Sequence, residues 1–475
     1  MAWIKKNVRD AEEKGLNSPI PTQVVSNEEF TPMPQTPDQA KVEERLGVLA
    51  SDYAGRLGVN RRDFMRSSGG MAAAFLAMNE VFGDVFKVAE AEVVDNEAYA
   101  EMWPKKEFIF DAQTHHVKDS ITGPIMFRKM TGKAGLNPTL NGITEGKDTL
   151  HRANFVKEIF FDSDTVMAVM TGAVIGPPKV HALPADEMVK TRNLVNQAAG
   201  SKRMLSHGLA NPVAENWRED FDWQVNELKV DGWKAYTGNP TGAWRLDDEK
   251  IAYPFFEKCI ESGLTNFSVH KGLPLPGRFE DFFKIDDVMQ AAKDFPEINF
   301  IIYHSGMKNM MTMLHPGETG IEPNGYIPWT TDLVRMREEN PWMTNVYPEL
   351  GAVFGHSVIT HPEVTGHLLG QLIGAFGADH VIWGTDCIWW GSPDWLIEAF
   401  RRFDIPEAQR DEYGYSSISQ ADKELIFGKN LAGLFDVDID AQRKAIPGDS
   451  LSGMKTAYLE SGAEPSNTAY GWVAV

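Results

Sequence analysis

Four polar side chains stand at the ends of short apolar runs. His115 follows EFIFDAQT (107–114), His270 follows TNFSV (265–269), His304 follows INFIIY (298–303) and Asp386 follows VIWGT (381–385). Each run is brief and β-branched or aromatic, as a buried strand is. One such histidine is more often a hydrogen-bonded structural residue than a ligand. Its recurrence at strand ends is what points to a site. Three imidazoles and a carboxylate gathered in one cleft offer the donors that a divalent metal such as zinc takes.

Gathering them requires a particular scaffold. Past residue 106 the chain alternates short apolar runs with longer amphipathic stretches, the pattern of βα units around a parallel sheet. Eight runs are legible: 107–112, 165–172, 203–210, 232–237, 266–270, 299–304, 344–350 and 380–386. DDVMQAAKDF (286–295) and SPDWLIEAFRRF (392–403) read as helices, the second with Ser392 as a cap ahead of Pro393. The expected fold class is α/β, a (β/α)8 TIM barrel over 107–435 with an N-terminal extension and a C-terminal tail, 436–475. In such a barrel chemistry sits at the C-terminal ends of the strands, where His115, Lys234, His270, His304 and Asp386 fall. The longest connection, 117–164, is Gly-rich and suits a lid or substrate loop.

Composition narrows the function classes. The chain has 475 residues, 43% of them apolar, and a formal net charge of -21. That balance argues against nucleic acid as a partner, because phosphate binding needs a basic face. Cys259 and Cys387 are the only cysteines, so neither a disulfide framework nor a cysteine zinc site is available. Buried free thiols are the expectation for both. No apolar run approaches the ~18 residues that span a bilayer, so no stable membrane span is expected. A homo-oligomer is compatible with the chain.

The first hundred residues read differently. Residues 1–59 are polar, lack an apolar period and are expected to be a disordered extension with no core of their own. Arg61, Arg62, Phe64 and Arg66 then precede the mildly apolar SSGGMAAAFLAM (67–78), and small residues follow at 89–91. Segment 60–91 resembles a twin-arginine export signal. It implies an encounter of residues 60–78 with export machinery, release after Ala91 and a periplasmic address. The alternative is a cytoplasmic protein whose arginines open an Ala-rich helix.

The strings FDAQTHHV, VHKGLP, YHSG, IWGTD and ELIFGKNLAGLF (424–435) together resemble the amidohydrolase superfamily. The branch they are most similar to holds aminocarboxymuconate-semialdehyde decarboxylase, resorcylate-type decarboxylases and pyrone-dicarboxylate lactonases. The resemblance runs over 107–435 in order. That family opens on Asp-x-His-x-His. Here Asp111 and His115 are kept and Gln113 replaces the first histidine. The resemblance implies one divalent metal, zinc with manganese as the alternative. It implies His115, His270 and Asp386 as ligands and Gln113 as a further contact. His304 would then act as a base or substrate-orienting group.

Several neighbours carry blander expectations. His116 points to the other side of its strand and reads as structural. Lys234 occupies the place of a metal-bridging lysine in binuclear relatives, but with Gln113 present a packing or substrate-carboxylate role is expected. Arg128 and Arg245 lie in loops. Trp389 and Trp390 would wall an apolar substrate or cap the core, and Glu349 reads as structural. The expected function is metal-dependent hydrolysis of an amide, ester or lactone, with Asp386 handling the proton of an activated water. Non-oxidative decarboxylation of an aromatic or muconate-type acid uses the same residues. A barrel that binds a small molecule without turnover is the third reading.

Overall fold

The computed structural model describes residues 18–26, 34–118, 132–133, 150–172, 181–239, 242–274, 279–308 and 325–463. Arg128 and most of the 117–164 connection lie outside them. Seven strands follow the expected runs: β1 (Phe110–Thr114), β2 (Met167–Met170), β3 (Met204–Ala210), β4 (Gly232–Tyr236), β5 (Asn266–His270), β6 (Asn299–Tyr303) and β7 (Val346–Pro348). They pair in parallel and in chain order.

The eighth run does not form a ladder of its own. It closes the ring through single bridges, Ile382 to Glu349 and Cys387 to Thr114. The Ile382 amide donates to the Pro348 carbonyl at 2.9 Å, and the Ala112 amide donates to the Trp383 carbonyl at 3.0 Å. Two features prevent a regular pleat there. Asp386 has φ 59°, a left-handed conformation that breaks extended backbone. A Cβ on Gly384 would stand 1.6 Å from Glu349 Oε1, so only glycine fits against that carboxyl. The barrel expectation therefore holds, with the eighth strand replaced by an irregular segment.

Strand alternation sorts the side chains. Leu205, Ile301, Tyr303 and Ile382 join Phe110, Val169 and Leu431 in a small cluster, as a filled barrel requires. Trp233, Phe267, Val269, Phe300 and Ile302 face the helices and belong to the larger core. Helices Val288–Asp294 and Asp394–Arg402 lie where the apolar period put them. The second helix has Pro393 rather than Ser392 at its N-cap, one residue later than expected, although Ser392 Oγ still accepts from the Asp394 amide at 3.2 Å.

The N-terminal region departs from the sequence reading. Residues 37–57, expected to carry no core, form a 21-residue helix, Pro37–Leu57, with a Thr36–Gln39 capping box. It buries Val42, Leu46, Leu49 and Ala50. The earlier reading failed because this stripe is narrow on an otherwise polar helix. Segment 60–91 is also folded in. Asn60 caps Arg61–Met65, Ser67 caps Ser68–Phe82, and Ala72, Ala73, Ala74, Phe75 and Ala77 are buried.

A buried ion network ties this region to the barrel. Arg402 donates to Glu92 at 2.8 Å and to Glu398 at 3.3 Å, with all three side chains at most 1% exposed. Trp103 Nε1 donates to the same Glu92 oxygen as Arg402, at 2.8 Å. Removing one partner of a buried pair strands the other charge, at a cost of about 3–5 kcal/mol. Glu92→Ala should accordingly lower the unfolding free energy by about that much in denaturant titration, whereas Asp38→Ala, in an exposed pair, should leave it within error.

Candidate active site

The site is assembled where the strand ends meet. Asp111, fully buried, anchors β1 to the irregular segment. It accepts from the Thr385 hydroxyl at 2.5 Å, the Thr385 amide at 3.1 Å and the Gln113 amide at 3.0 Å. A register shift between Asp111 and Thr114 re-aims the end of β1. His115 and Gln113 thereby reach Asp386. Asp386 Oδ1 lies 2.9 Å from His115 Nε2 and accepts from Gln113 Nε2 at 2.9 Å. The second pair is His270 and His304. His270 closes β5, and His304 follows Tyr303 with φ 62°. Tyr303 faces the barrel interior, so simple alternation would send His304 outward. The left-handed turn at His304 and Ser305 brings it back.

Hydrogen bonds fix the ring tautomers. His304 Nδ1 is 2.9 Å from the Gly351 carbonyl, and His270 Nε2 is 3.2 Å from the Leu273 carbonyl. A carbonyl oxygen only accepts, so each of those nitrogens carries the proton. His304 Nε2 and His270 Nδ1 then face each other at 3.2 Å with lone pairs. His115 Nδ1 likewise donates to the Thr171 carbonyl at 2.7 Å, which turns Nε2 toward Asp386. Nitrogen lone pairs facing each other repel unless a proton or cation stands between them.

Burial decides which. Burial first, then the His304 and Lys234 charges, holds His270 well below the ordinary imidazole value. Burial brings His304 down to about 4. Both rings are therefore neutral at neutral pH, and no proton bridges them. Burial opposes ionisation of Asp386, but the His115 hydrogen bond and charge, with His304 and Lys234, hold it below the usual carboxylate range. In kind, the donors fit a divalent cation. Among the described residues, however, no three His, Cys, Asp or Glu side chains surround one point as metal ligands do. The close contacts form two pairs, His115 with Asp386 and His270 with His304.

Other expectations sort as follows. Gln113 donates to Asp386 through its amide nitrogen and so holds the carboxylate in place. His116 bonds Thr191 at 2.7 Å. Lys234 is fully buried with Nζ 3.5 Å from the Tyr303 ring centre. Arg245 pairs with Asp247 and Asp286. Trp389 lies against His115 at 5.8 Å, and Trp390 is buried against His356 at 4.8 Å. Both cysteines are free and buried.

Glu349 is structural, as expected, and it braces the site. Its carboxyl accepts from the His304 amide at 3.1 Å and the Gly351 amide at 2.7 Å, so it holds the turn that aims His304. Its place near the end of the seventh run marks it in the sequence. His356 carried no such signal, because it sits inside a helix, Val353–Thr360.

The model of the amidohydrolase family matches residues 159–437. The chain belongs to that family. Similar solved structures include a TIM-barrel protein from Bordetella bronchiseptica, 14% identical over 69% of this chain and 98% of that one, with a TM-score of 0.44. A 4-oxalomesaconate hydratase from Rhodopseudomonas palustris is 15% identical over 71% and 98%, with a TM-score of 0.42. A dihydroxybenzoic acid decarboxylase from Polaromonas, solved with manganese and 2-nitroresorcinol, is 17% identical over 70% and 97%, with a TM-score of 0.38. No curated protein is matched. The protein is thus an enzyme of the amidohydrolase superfamily.

Burial raises the Glu349 carboxyl to about 8 from an ordinary 4.5. Between those values the folded state keeps a proton that the unfolded chain releases, so stability falls as pH rises. Glu349→Gln should shrink the loss of melting temperature between pH 5 and pH 8. An unchanged loss would mean that Glu349 is not the group responsible.

Proposed function

We propose that the protein is a metal-dependent hydrolase of an amide, ester or lactone. The neutral acceptor nitrogens of His270 and His304 carry this reading, because carbonyl partners leave His270 a lone pair for a cation and His304, 3.2 Å away, one for the water beside it. His115, His270 and Asp386 would hold the cation, with zinc or manganese suited to nitrogen and carboxylate donors. When bound, the metal supplies Lewis acidity toward water and a carbonyl oxygen.

The rest falls to the chain's own side chains. Asp386, ionised and buried, accepts a proton from the attacking water. Gln113 keeps that carboxylate in place through its amide N–H. The water oxygen bonds to the carbonyl carbon, and the bond to the leaving nitrogen or oxygen breaks. Asp386 returns its proton to the leaving atom. His304 orients the water by accepting a hydrogen bond at Nε2. Its tautomer suits that role better than donation to an oxyanion, since the ring proton is engaged by Gly351. Trp389, packed on His115, would wall the cleft on its apolar side.

Lys234 favours a second reading. Its ammonium lies inside the barrel, and its charge reaches His270, His304 and Asp386. It would attract a substrate carboxylate, as decarboxylation requires. That reaction also needs Asp386 to deliver a proton to carbon, and Asp386 is held ionised, so hydrolysis is preferred.

Asp386→Ala should reduce ester or lactone hydrolysis by a factor of about 10²–10⁴. His270→Ala and Asp386→Ala should both lose most bound metal by elemental analysis while remaining folded. Unchanged metal content in both would refute the ligand assignment. Carbon dioxide release from a hydroxyaromatic acid, with no hydrolysis, would favour decarboxylation. Neither turnover nor metal would favour a binding barrel. Gln113→His should slow metal loss to a chelator, because imidazole is the better donor. Equal release would place residue 113 away from the ion.

A further inference from the structure

The N-terminal strap, residues 18–26, is buried more deeply than an irregular surface segment needs to be. Ile20, Val24 and Val25 are at most 3% exposed, and Ser26 is fully buried. The strap is held from one side by the Pro37–Leu57 helix. Thr22 donates to Glu43 at 2.7 Å, and Gln35 donates to both the Thr22 carbonyl, at 3.0 Å, and Glu43, at 2.7 Å. On the other side lies the Val353–Thr360 helix. Gln39 donates to the Ile359 carbonyl at 3.4 Å, and the backbone of Val25 reaches the His356 ring.

His356 is buried, and its other neighbour is Trp390, edge-on at 4.8 Å between ring centres. Trp390 belongs to the segment after Asp386. That segment is tied to β1 where the His115 amide donates to the Cys387 carbonyl at 2.7 Å. The start of the His356 helix is equally close to the chemistry. Gly351 accepts the His304 ring proton, and Ala352 beside it has φ 62°. One ring thus stands between the strap and both loops that aim the site.

The geometry points to His356 as a positioning residue: the strap, through Val25, seats the His356 ring against Trp390 and so fixes the segment that carries Asp386. The extension expected from sequence to lie outside the working enzyme is then part of its active-site frame. The consequence for turnover rests on the hydrolase reading. The effect on the Asp386 segment does not.

The test uses the full-length protein. Hydrogen–deuterium exchange is followed in the peptide covering 384–392 for wild type, His356→Leu, His356→Gln and the Val24→Ala/Val25→Ala double variant. Val195→Ala, buried in the Ala185–Ala199 helix, serves as a destabilised control outside the relay. Exchange in 384–392 should rise in His356→Leu and in the strap variant, return toward wild type in His356→Gln, and stay unchanged in Val195→Ala. Hydrolysis of p-nitrophenyl acetate and of dihydrocoumarin should fall in kcat on the order of tenfold in the first two variants, with KM little changed.

Exchange that is unchanged in His356→Leu, or raised as much in Val195→Ala, overturns the proposal. If the strap variant does not fold, the His356→Leu and His356→Gln pair decides alone. Wild-type protein that cleaves neither probe counts against the hydrolase reading, while the exchange comparison still decides the role of the strap.

Discussion

The constraint on which the site turns is the commitment of three ring protons to backbone carbonyls. Thr171, Leu273 and Gly351 each take one. Once those bonds form, His270 and His304 have no choice of tautomer, and their remaining nitrogens turn lone pairs toward each other. In water such an arrangement would relax by protonation. Here burial makes imidazolium costly, so the strain is kept. The loops enforce it with left-handed backbone at His304, Ala352 and Asp386, conformations that persist only where the surroundings over-determine them.

The carboxyls divide the work by environment. Asp386 is kept ionised by the hydrogen bond and charge of His115, aided by His304 and Lys234. Asp111 and Glu349 are equally buried but accept from backbone amides and a hydroxyl, and burial raises them to about 7 and about 8. Two acids with raised values brace the loops, and the one with a lowered value lies between His115 and Gln113. Separating neighbouring acids in this way is how a single cleft assigns roles at neutral pH.

The N-terminal hundred residues bear on the barrel rather than trailing from it. The Ser68–Phe82 helix buries its alanines, and Arg402 reaches out of the barrel's last helical layer to Glu92. Apolar character that reads as an export segment in one dimension serves here as a packing surface. Composition cannot distinguish the two uses, because both require small and apolar residues in a row.

By itself the sequence determined the parallel barrel and most of the candidate site. Strand periods, spacing and the residues that end each run mark β1 to β7, His115, His270, His304 and Asp386, because burial on both faces leaves a continuous apolar signature. Tertiary structure decided the rest. It set the His115 and His304 tautomers, which depend on carbonyls 56 and 47 residues away in the chain. It turned Gln113's nitrogen toward Asp386, and it made Glu349 the brace of His304. It also brought Val25 to His356, a contact across more than three hundred residues. No local period encodes such pairings, since they arise only when separate elements pack against one another.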